Sequence, residues 1–375
     1  MAAVTIDDLS FSYPGAPAAT LAGLNLQIAS GEAHALLGGS GAGKTTLLNL
    51  LSGLLKPTAG ALSLGGRDLA QLAPGDRGVA QVFQFPVLYD SLSVLDNLTM
   101  PLRARGVGAR ERRAQADVVA RQLAFADLGF GALDRVRPAT LSLYQKQLLA
   151  VGKALLTPDL ALLLLDEPLT AVEPSLKWRL RQTLKAVQAD RGVTMVYVTH
   201  DQTEALTFAD RVSVMRDGKI LQSAAPSALY DAPEHTWVGH FIGSPGLNLI
   251  DAELVGDVLV REDWRWPLPA AEHFGLSGGW LPGSVQLGFR PEWARVQLGP
   301  TAEDAAVLRG AIASQALQGL DADGEFGLTE VRLPEPVRVR GPLSGEPGAL
   351  AGLVLSRFVL FREQQRIASI EAPSC

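Results

Sequence analysis

A strand, a glycine loop and a helix follow one another without a break near the start of this 375-residue chain. AHALLGG at 33–39 reads as a buried strand ending in a glycine turn, and KTTLLNLLSGL at 44–54 reads as the helix that follows. Between them GGSGAGKTT at 38–46 fits G-x-x-x-x-G-K-[ST], with Gly38, Gly43, Lys44 and Thr45 at the fixed positions. Such a loop turns its amide N–H groups inward and sits at a helix N-terminus, so it cradles phosphate oxygens. Lys44 would reach the β and γ phosphates, and Thr45 would hold Mg²⁺ through its hydroxyl. Gly39, Ser40, Gly41, Ala42 and Thr46 complete the cradle. A chance glycine turn would not come with both the strand and the helix. This feature commits the front of the chain to an α/β, nucleotide-binding organisation.

The rest of the chemistry lies at the ends of other strand-like runs. LLLLDEP at 162–168 places Asp166 where a buried strand stops, a position from which a carboxylate holds magnesium through water. Glu167 beside it would orient and polarise an attacking water. Two acids after a strand also suit a surface turn, but behind a phosphate loop the functional reading is preferred. Gln84, after VAQVF at 79–83, would join the metal shell or position water. His200, closing GVTMVYVTH, would hydrogen-bond the γ phosphate; a lone histidine is more often structural, and this one takes its role from its company. In open α/β sheets ligands collect at these carboxyl ends. Tyr13 in FSYPG would stack on adenine, or else is a turn aromatic.

Between these runs, residues 87–157 read as mainly helical. Their arginine-rich stretch RARGVGARERRAQADVVARQLAF is interrupted by acids and alanines, which favours a solvated helix over an RNA-binding arm. From 246 onward short strands alternate with Gly, Pro and Asp, as in a small β-barrel or sandwich. Charge changes at the same place. Residues 251–375 hold 11 Arg, no Lys and 17 Asp plus Glu, so the whole net charge of −6 resides there. That composition argues for a domain boundary near 240–250 and against nucleic acid as a partner. No apolar run approaches the roughly 18 residues of a membrane span. MAAVTIDDLS lacks the layout of an export signal. A single cysteine, Cys375, excludes an internal disulfide and fits a reducing cytoplasm. Four tryptophans in the tail (Trp264, Trp266, Trp280 and Trp293) suit a core better than a ligand site.

In this order the motifs resemble the ATP-binding subunits of ABC transporters: Walker A at 38–45, a Q-loop glutamine at 84, Walker B at 162–167 and a switch histidine at 200. FIGSPGLNLI at 241–250 and QLGFRPEWARV at 286–296 are similar to the carbohydrate-uptake branch, in which a TOBE-type, OB-like regulatory domain follows the cassette. QVFQFPVLYDSLSVLDNL, DEPLTAVEPSLKW and VTHDQTEALTFAD look most like the ATPases of glycerol and polyol importers. The resemblance implies a P-loop ABC cassette over 1–240, with a helical subdomain at about 87–157, and an all-β domain over 241–375. It implies ATP and Mg²⁺ as ligands and membrane permease chains as partners, met near Phe85 to Ser91. It also implies an extracytoplasmic solute-binding protein acting indirectly, and a peripheral place on the cytoplasmic face of the membrane. Other readings are a catalytically weak regulatory paralogue, an importer ATPase for sulfate, polyamine or another sugar, and a soluble ABC protein of DNA repair or translation.

One segment departs from the pattern. In the family the helix start after the helical subdomain reads LSGGQ and presses on the γ phosphate bound to the facing protomer. This chain reads LSLYQ: Leu141, Ser142 and Gln145 are kept, and Leu143 and Tyr144 replace the glycines. Leu148 and Lys153 stand where arginines are usual, and Glu173 where aspartate is. A side chain at a left-handed position costs on the order of 1–2 kcal/mol, and its bulk holds the amides off a phosphate. The expectation is an asymmetric pair in which a second ATPase subunit supplies an intact LSGGQ. The alternative is a homodimer whose helix start shifts so that Ser142 suffices.

Overall fold

The computed structural model describes residues 2–262, 264–298, 308–321, 324–333, 336–343 and 345–371; Cys375 lies outside them. The chain begins β1 (Val4–Phe11), β2 (Leu21–Ile28), β3 (Ala33–Gly38), α1 (Lys44–Ser52), β4 (Ala59–Leu64), β5 (Arg67–Asp68) and β6 (Val79–Val82). It continues α2 (Val94–Ala104), α3 (Ala109–Gln122), α4 (Leu143–Leu155), β7 (Leu162–Asp166), α5 (Pro174–Arg191), β8 (Thr194–Thr199), α6 (Gln202–Phe208), β9 (Arg211–Arg216) and β10 (Lys219–Ala224).

β3, β7 and β8 are buried at every position. A strand covered on both faces has no polar side to show, and so reads as a continuous apolar run. They form the centre of a six-stranded sheet ordered β10-β9-β3-β8-β7-β6, parallel throughout except for β9 with β10. A second, antiparallel sheet ordered β2-β1-β4-β5 was not apparent in the sequence. The reason lies in β1, where Val4 and Ile6 are buried and then Leu9 and Phe11, so the inward parity changes. Asp8 at φ 47° makes a bulge there, and its N–H is taken by the Asn25 side chain at 2.9 Å. An extra residue is what lets a strand keep its apolar side inward after such a change.

The expected helical stretch at 87–157 is three helices, α2, α3 and α4, with turns over most of 123–142. In α3 only Ala116 and Val119 are buried, so the arginine-rich run is a solvated helix. α1 ends on a buried cation: Arg77 Nη1 donates to the carbonyls of Leu50 (2.8 Å) and Leu51 (3.0 Å). Burial lowers the pKa of this guanidinium, with the nearby Asp68 charge partly opposing the shift. A cation on the last carbonyls of a helix answers its negative end.

The contacts divide the chain between Pro226 and Ser227, 14 residues ahead of the boundary expected at 240/241. The C-terminal unit takes α7 (Pro226–Asp231) from its second residue, then α8 (Thr236–Phe241), and continues as β11 (Asn248–Val255), β12 (Val258–Arg261), β13 (Trp264–Pro267) and β14 (Gly283–Phe289). Then come β15 (Ala294–Leu298), β16 (Leu308–Asp321), β17 (Gly324–Arg332), β18 (Pro336–Pro342), β19 (Leu350–Leu355), β20 (Arg357–Arg362) and β21 (Gln365–Glu371). They build two antiparallel sheets, β13-β12-β11-β14-β20-β21 and β15-β19-β16-β17-β18. Trp264, Trp266, Trp280 and Trp293 all belong to its apolar core.

Arg290 explains why the short helices go with the β-unit. It is fully buried, and its Nη1 donates to the carbonyls of Gly239 (2.8 Å) and Ile242 while Nε and Nη2 donate to that of Tyr230 (3.1 and 2.9 Å). The guanidinium also lies 4.2 Å from the centre of the Tyr230 ring. Burial pushes its pKa down to about 10, which leaves it charged at neutral pH. Replacing it by methionine strands these carbonyls at a cost of about 1–3 kcal/mol for each one left dry. The expected result is an Arg290→Met chain whose C-terminal unit unfolds at clearly lower urea, while Arg362→Met stays close to the parent; equal midpoints would refute the clamp.

Candidate nucleotide site

β3 delivers the loop. At Gly38 a Cβ would lie 2.3 Å from the Met215 carbonyl oxygen of β9, so no side chain fits where the strand leaves the sheet. Gly43 caps α1 at φ 97°, a left-handed conformation in which any other residue is strained. Ser40 and Gly41 form the outer turn, and the Ala42 N–H closes it on the Gly39 carbonyl at 3.3 Å. No atom comes within 4 Å of the place a Cβ would take at Gly39 or Gly41, so this side of the loop is open.

Lys44 lies under the loop, buried, with Nζ donating to the carbonyls of Gly38 and Gly39 at 2.9 Å each. Burial lowers its pKa, and the carboxylates of Glu167 and Asp166 oppose the shift. Thr45 Oγ1 donates to Asp166 Oδ1 at 3.3 Å. Burial raises the Asp166 pKa, as does the charge of Glu167, while the Thr45 hydrogen bond and Lys44 lower it. Thr46 meets Tyr13: the two hydroxyls are 3.2 Å apart. The Tyr13 ring is edge-on to Phe11 and 43% exposed, beside the first turn of α1.

Glu167 follows β7 with φ 45°. A non-glycine residue held there stores about 1–3 kcal/mol and persists only where its surroundings fix it. They do: its N–H donates to the Val198 carbonyl at 3.0 Å, Thr170 Oγ1 donates to Oε2 at 3.0 Å, and His200 Nδ1 lies 3.1 Å from Oε1. Both carboxylate oxygens are therefore tethered. Thr170 was not singled out in the sequence, and only its place three residues after Glu167 hinted at it. Gln84 lies two residues past the end of β6, half-buried, and β6 pairs with β7 through Val82 and Leu165. Thr45 with Asp166 and Glu167 with His200 are thus joined by contact, Lys44 is held on the loop carbonyls under the charge of both carboxylates, and Tyr13 is attached through Thr46.

Ser142 and Gln145 are occupied with each other. Ser142 Oγ accepts from the Gln145 N–H at 3.2 Å and Gln145 Oε1 accepts from the Ser142 N–H at 2.8 Å, a capping box that starts α4. Gln145 Nε2 also donates to the Leu128 carbonyl at 2.7 Å. The expected left-handed strain at Leu143 and Tyr144 is absent, because the box places both in the first right-handed turn of the helix. Tyr144 is buried and Leu143 is 40% exposed. Leu148 is buried, and Lys153 Nζ donates to the Val87 carbonyl at 3.3 Å. α4 also reaches the glutamine segment, where Gln147 Nε2 donates to the Phe83 carbonyl at 3.3 Å.

Residues 21–170 match the ABC transporter family model. The chain is 40% identical over 254 residues to the diacetylchitobiose uptake system ATP-binding protein MsiK of Streptomyces coelicolor, covering 68% of this chain and 66% of that one. It is 39% identical over 352 residues to the sn-glycerol-3-phosphate import ATP-binding protein UgpC of Burkholderia mallei, covering 92% and 94%. The solved dimer of the ATP-binding cassette MJ0796 in a post-hydrolysis state with ADP and Pi superimposes with a TM-score of 0.53 at 27% identity, covering 60% of this chain and 98% of that one. With such identity sustained over nearly its whole length, the chain belongs to the ATP-binding subunits of ABC transporters.

Proposed function

We propose that this chain hydrolyses ATP to drive the import of a carbohydrate or polyol, with glycerol and its phosphate among the candidate cargoes. The observation that carries the hydrolytic part is the pair of contacts Thr45–Asp166 and Glu167–His200 at the carboxyl ends of the parallel strands, with the charge of both carboxylates acting on Lys44. The cargo follows from relatives whose names specify uptake of diacetylchitobiose and of sn-glycerol-3-phosphate.

In this reading Lys44 leaves its two carbonyls for the β and γ phosphates, the loop amides surround the phosphate oxygens, and Tyr13 stacks on adenine. Glu167 takes the water proton, and its two tethers fix which way the carboxylate faces. His200 supports Glu167 and contacts the γ phosphate. The oxygen donors Thr45, Asp166 and Gln84 fit Mg²⁺, a hard cation usually held by one or two carboxylates and by substrate oxygens. Bound there, Mg²⁺ would neutralise phosphate charge.

The partners are permease chains in the membrane, a solute-binding protein acting through them, and a second ATPase subunit. No described helix is long and apolar enough to cross a membrane. Phe85, Val87 and Tyr89 are exposed on the segment after Gln84 that would meet the permeases at the cytoplasmic face. Ser142 is committed to its capping box and Leu143 stands beside it, which supports a heterologous partner bringing an intact LSGGQ.

Three outcomes check the reading. Lys44→Ala should weaken binding of labelled ATP by roughly 10–100-fold, the loss of one charge-assisted contact, and unchanged binding would refute the site. Glu167→Gln should keep binding yet lower kcat by about 10²–10⁴-fold, the range of general-base loss. The purified chain alone should be a poor ATPase, and Leu143→Gly with Tyr144→Gly should raise its rate; a parent rate equal to that of the assembled transporter would refute the asymmetry.

A further inference from the structure

We propose that Glu204 is a positioning residue for hydrolysis, tying the first turns of α5 to His200 so that the loop after Glu167 and the histidine move as one piece. The inference rests on the reading of Glu167 and His200 as the hydrolytic pair.

Glu204 is the third residue of α6, and its N–H is capped by Asp201 Oδ1 at 3.1 Å. A glutamate in the first turn of a helix is ordinarily a solvated answer to the helix dipole. This one is only 3% exposed. A buried carboxylate is costly unless its lone pairs are filled, and three donors converge on it. Lys177 Nζ donates to Oε1 at 3.1 Å, while the hydroxyls of Tyr197 and Thr199 donate to Oε2 at 3.0 and 2.9 Å. Thr199 Oγ1 in turn accepts the Asp201 N–H at 3.0 Å. Glu204 therefore grips the residues on either side of His200, Thr199 directly and Asp201 through both Thr199 and the cap.

The other end of the carboxylate leads back to the site. Lys177 is the fourth residue of α5, which starts at Pro174 directly after the segment Thr170–Glu173. Thr170 bonds to Glu167, and Glu167 to His200. The bonds close a ring: Glu167, Thr170, α5, Lys177, Glu204, Thr199, His200 and Glu167 again. In that ring a displacement of the 170–173 segment is transmitted to the histidine through one carboxylate.

The test is a double-mutant cycle in the assembled transporter carrying the full-length chain. E204Q should lower kcat by about 10–100-fold, the scale of a displaced catalytic group, with KM for ATP within about twofold. In an H200A background E204Q should add nothing further. K177M should reproduce E204Q, and K177R should restore most of the rate, which a purely structural role would not require. If E204Q folds poorly by its melting curve, T199V, which removes one hydroxyl of the network, takes its place in the cycle and must show the same non-additivity. A loss that multiplies with that of H200A, or one that falls on KM alone, overturns the proposal for Glu204. An unaltered rate in H200A by itself would instead bring down the reading of the pair on which the proposal stands.

Discussion

The register of the parallel strands is the constraint on which the site depends. Leu37 of β3 lies opposite Thr199 of β8, Asp166 of β7 opposite Val198, and Val82 of β6 opposite Leu165. The residues just beyond these pairs are the phosphate loop, Glu167, His200 and the approach to Gln84, brought together from segments far apart in the chain. A slip of one residue moves a strand by about 3.3 Å, more than any hydrogen bond between Thr45 and Asp166 or Glu167 and His200 could follow. The complete burial of β3, β7 and β8 is what holds that register, so the apolar run in each strand supports the chemistry at its end.

Cations placed inside the protein follow a common pattern. Among the described residues the buried lysine and arginine side chains are Lys44, Arg77 and Arg290, and each is held by backbone carbonyls. Burial lowers the pKa of all three. For Arg77 and Arg290 the carbonyls close helix ends, and the arrangement is structural. Lys44 differs in what lies within reach: Asp166 and Glu167 pull on its charge, and its two carbonyls belong to a loop with an open side. Carbonyl ligation keeps the ammonium desolvated and available, where a direct carboxylate pair would have fixed it.

Much of this was legible because it depends on local pattern. The phosphate loop shows itself by glycine spacing, and β7 and β8 by unbroken apolar runs ending in Asp166 and Thr199. What escaped depends on backbone dihedrals or on distant partners. The bulge at Asp8 breaks the two-residue alternation that would have marked β1. Glu167 looks like any acid after a strand, and its left-handed backbone has no sequence signature. LSLYQ suggested strained positions because glycine is usual there, yet Ser142 and Gln145 form a capping box that takes Leu143 and Tyr144 into an ordinary helical turn. VTHDQTEALTFAD carries only a resemblance, and nothing in it announces the three donors that converge on Glu204.

The clamp made by Arg290 also dictates where the polypeptide can be cut. A fragment starting at 241, where the composition changes, would keep the guanidinium but discard the Tyr230 and Gly239 carbonyls that it grips. Its interior would then harbour an ion stripped of two of its ligands, an invitation to aggregation. One starting near 227 would retain both short helices and a saturated cation. For excision, fusion or domain exchange, the usable junction is set by the reach of one arginine and lies upstream of the seam visible in the residue content.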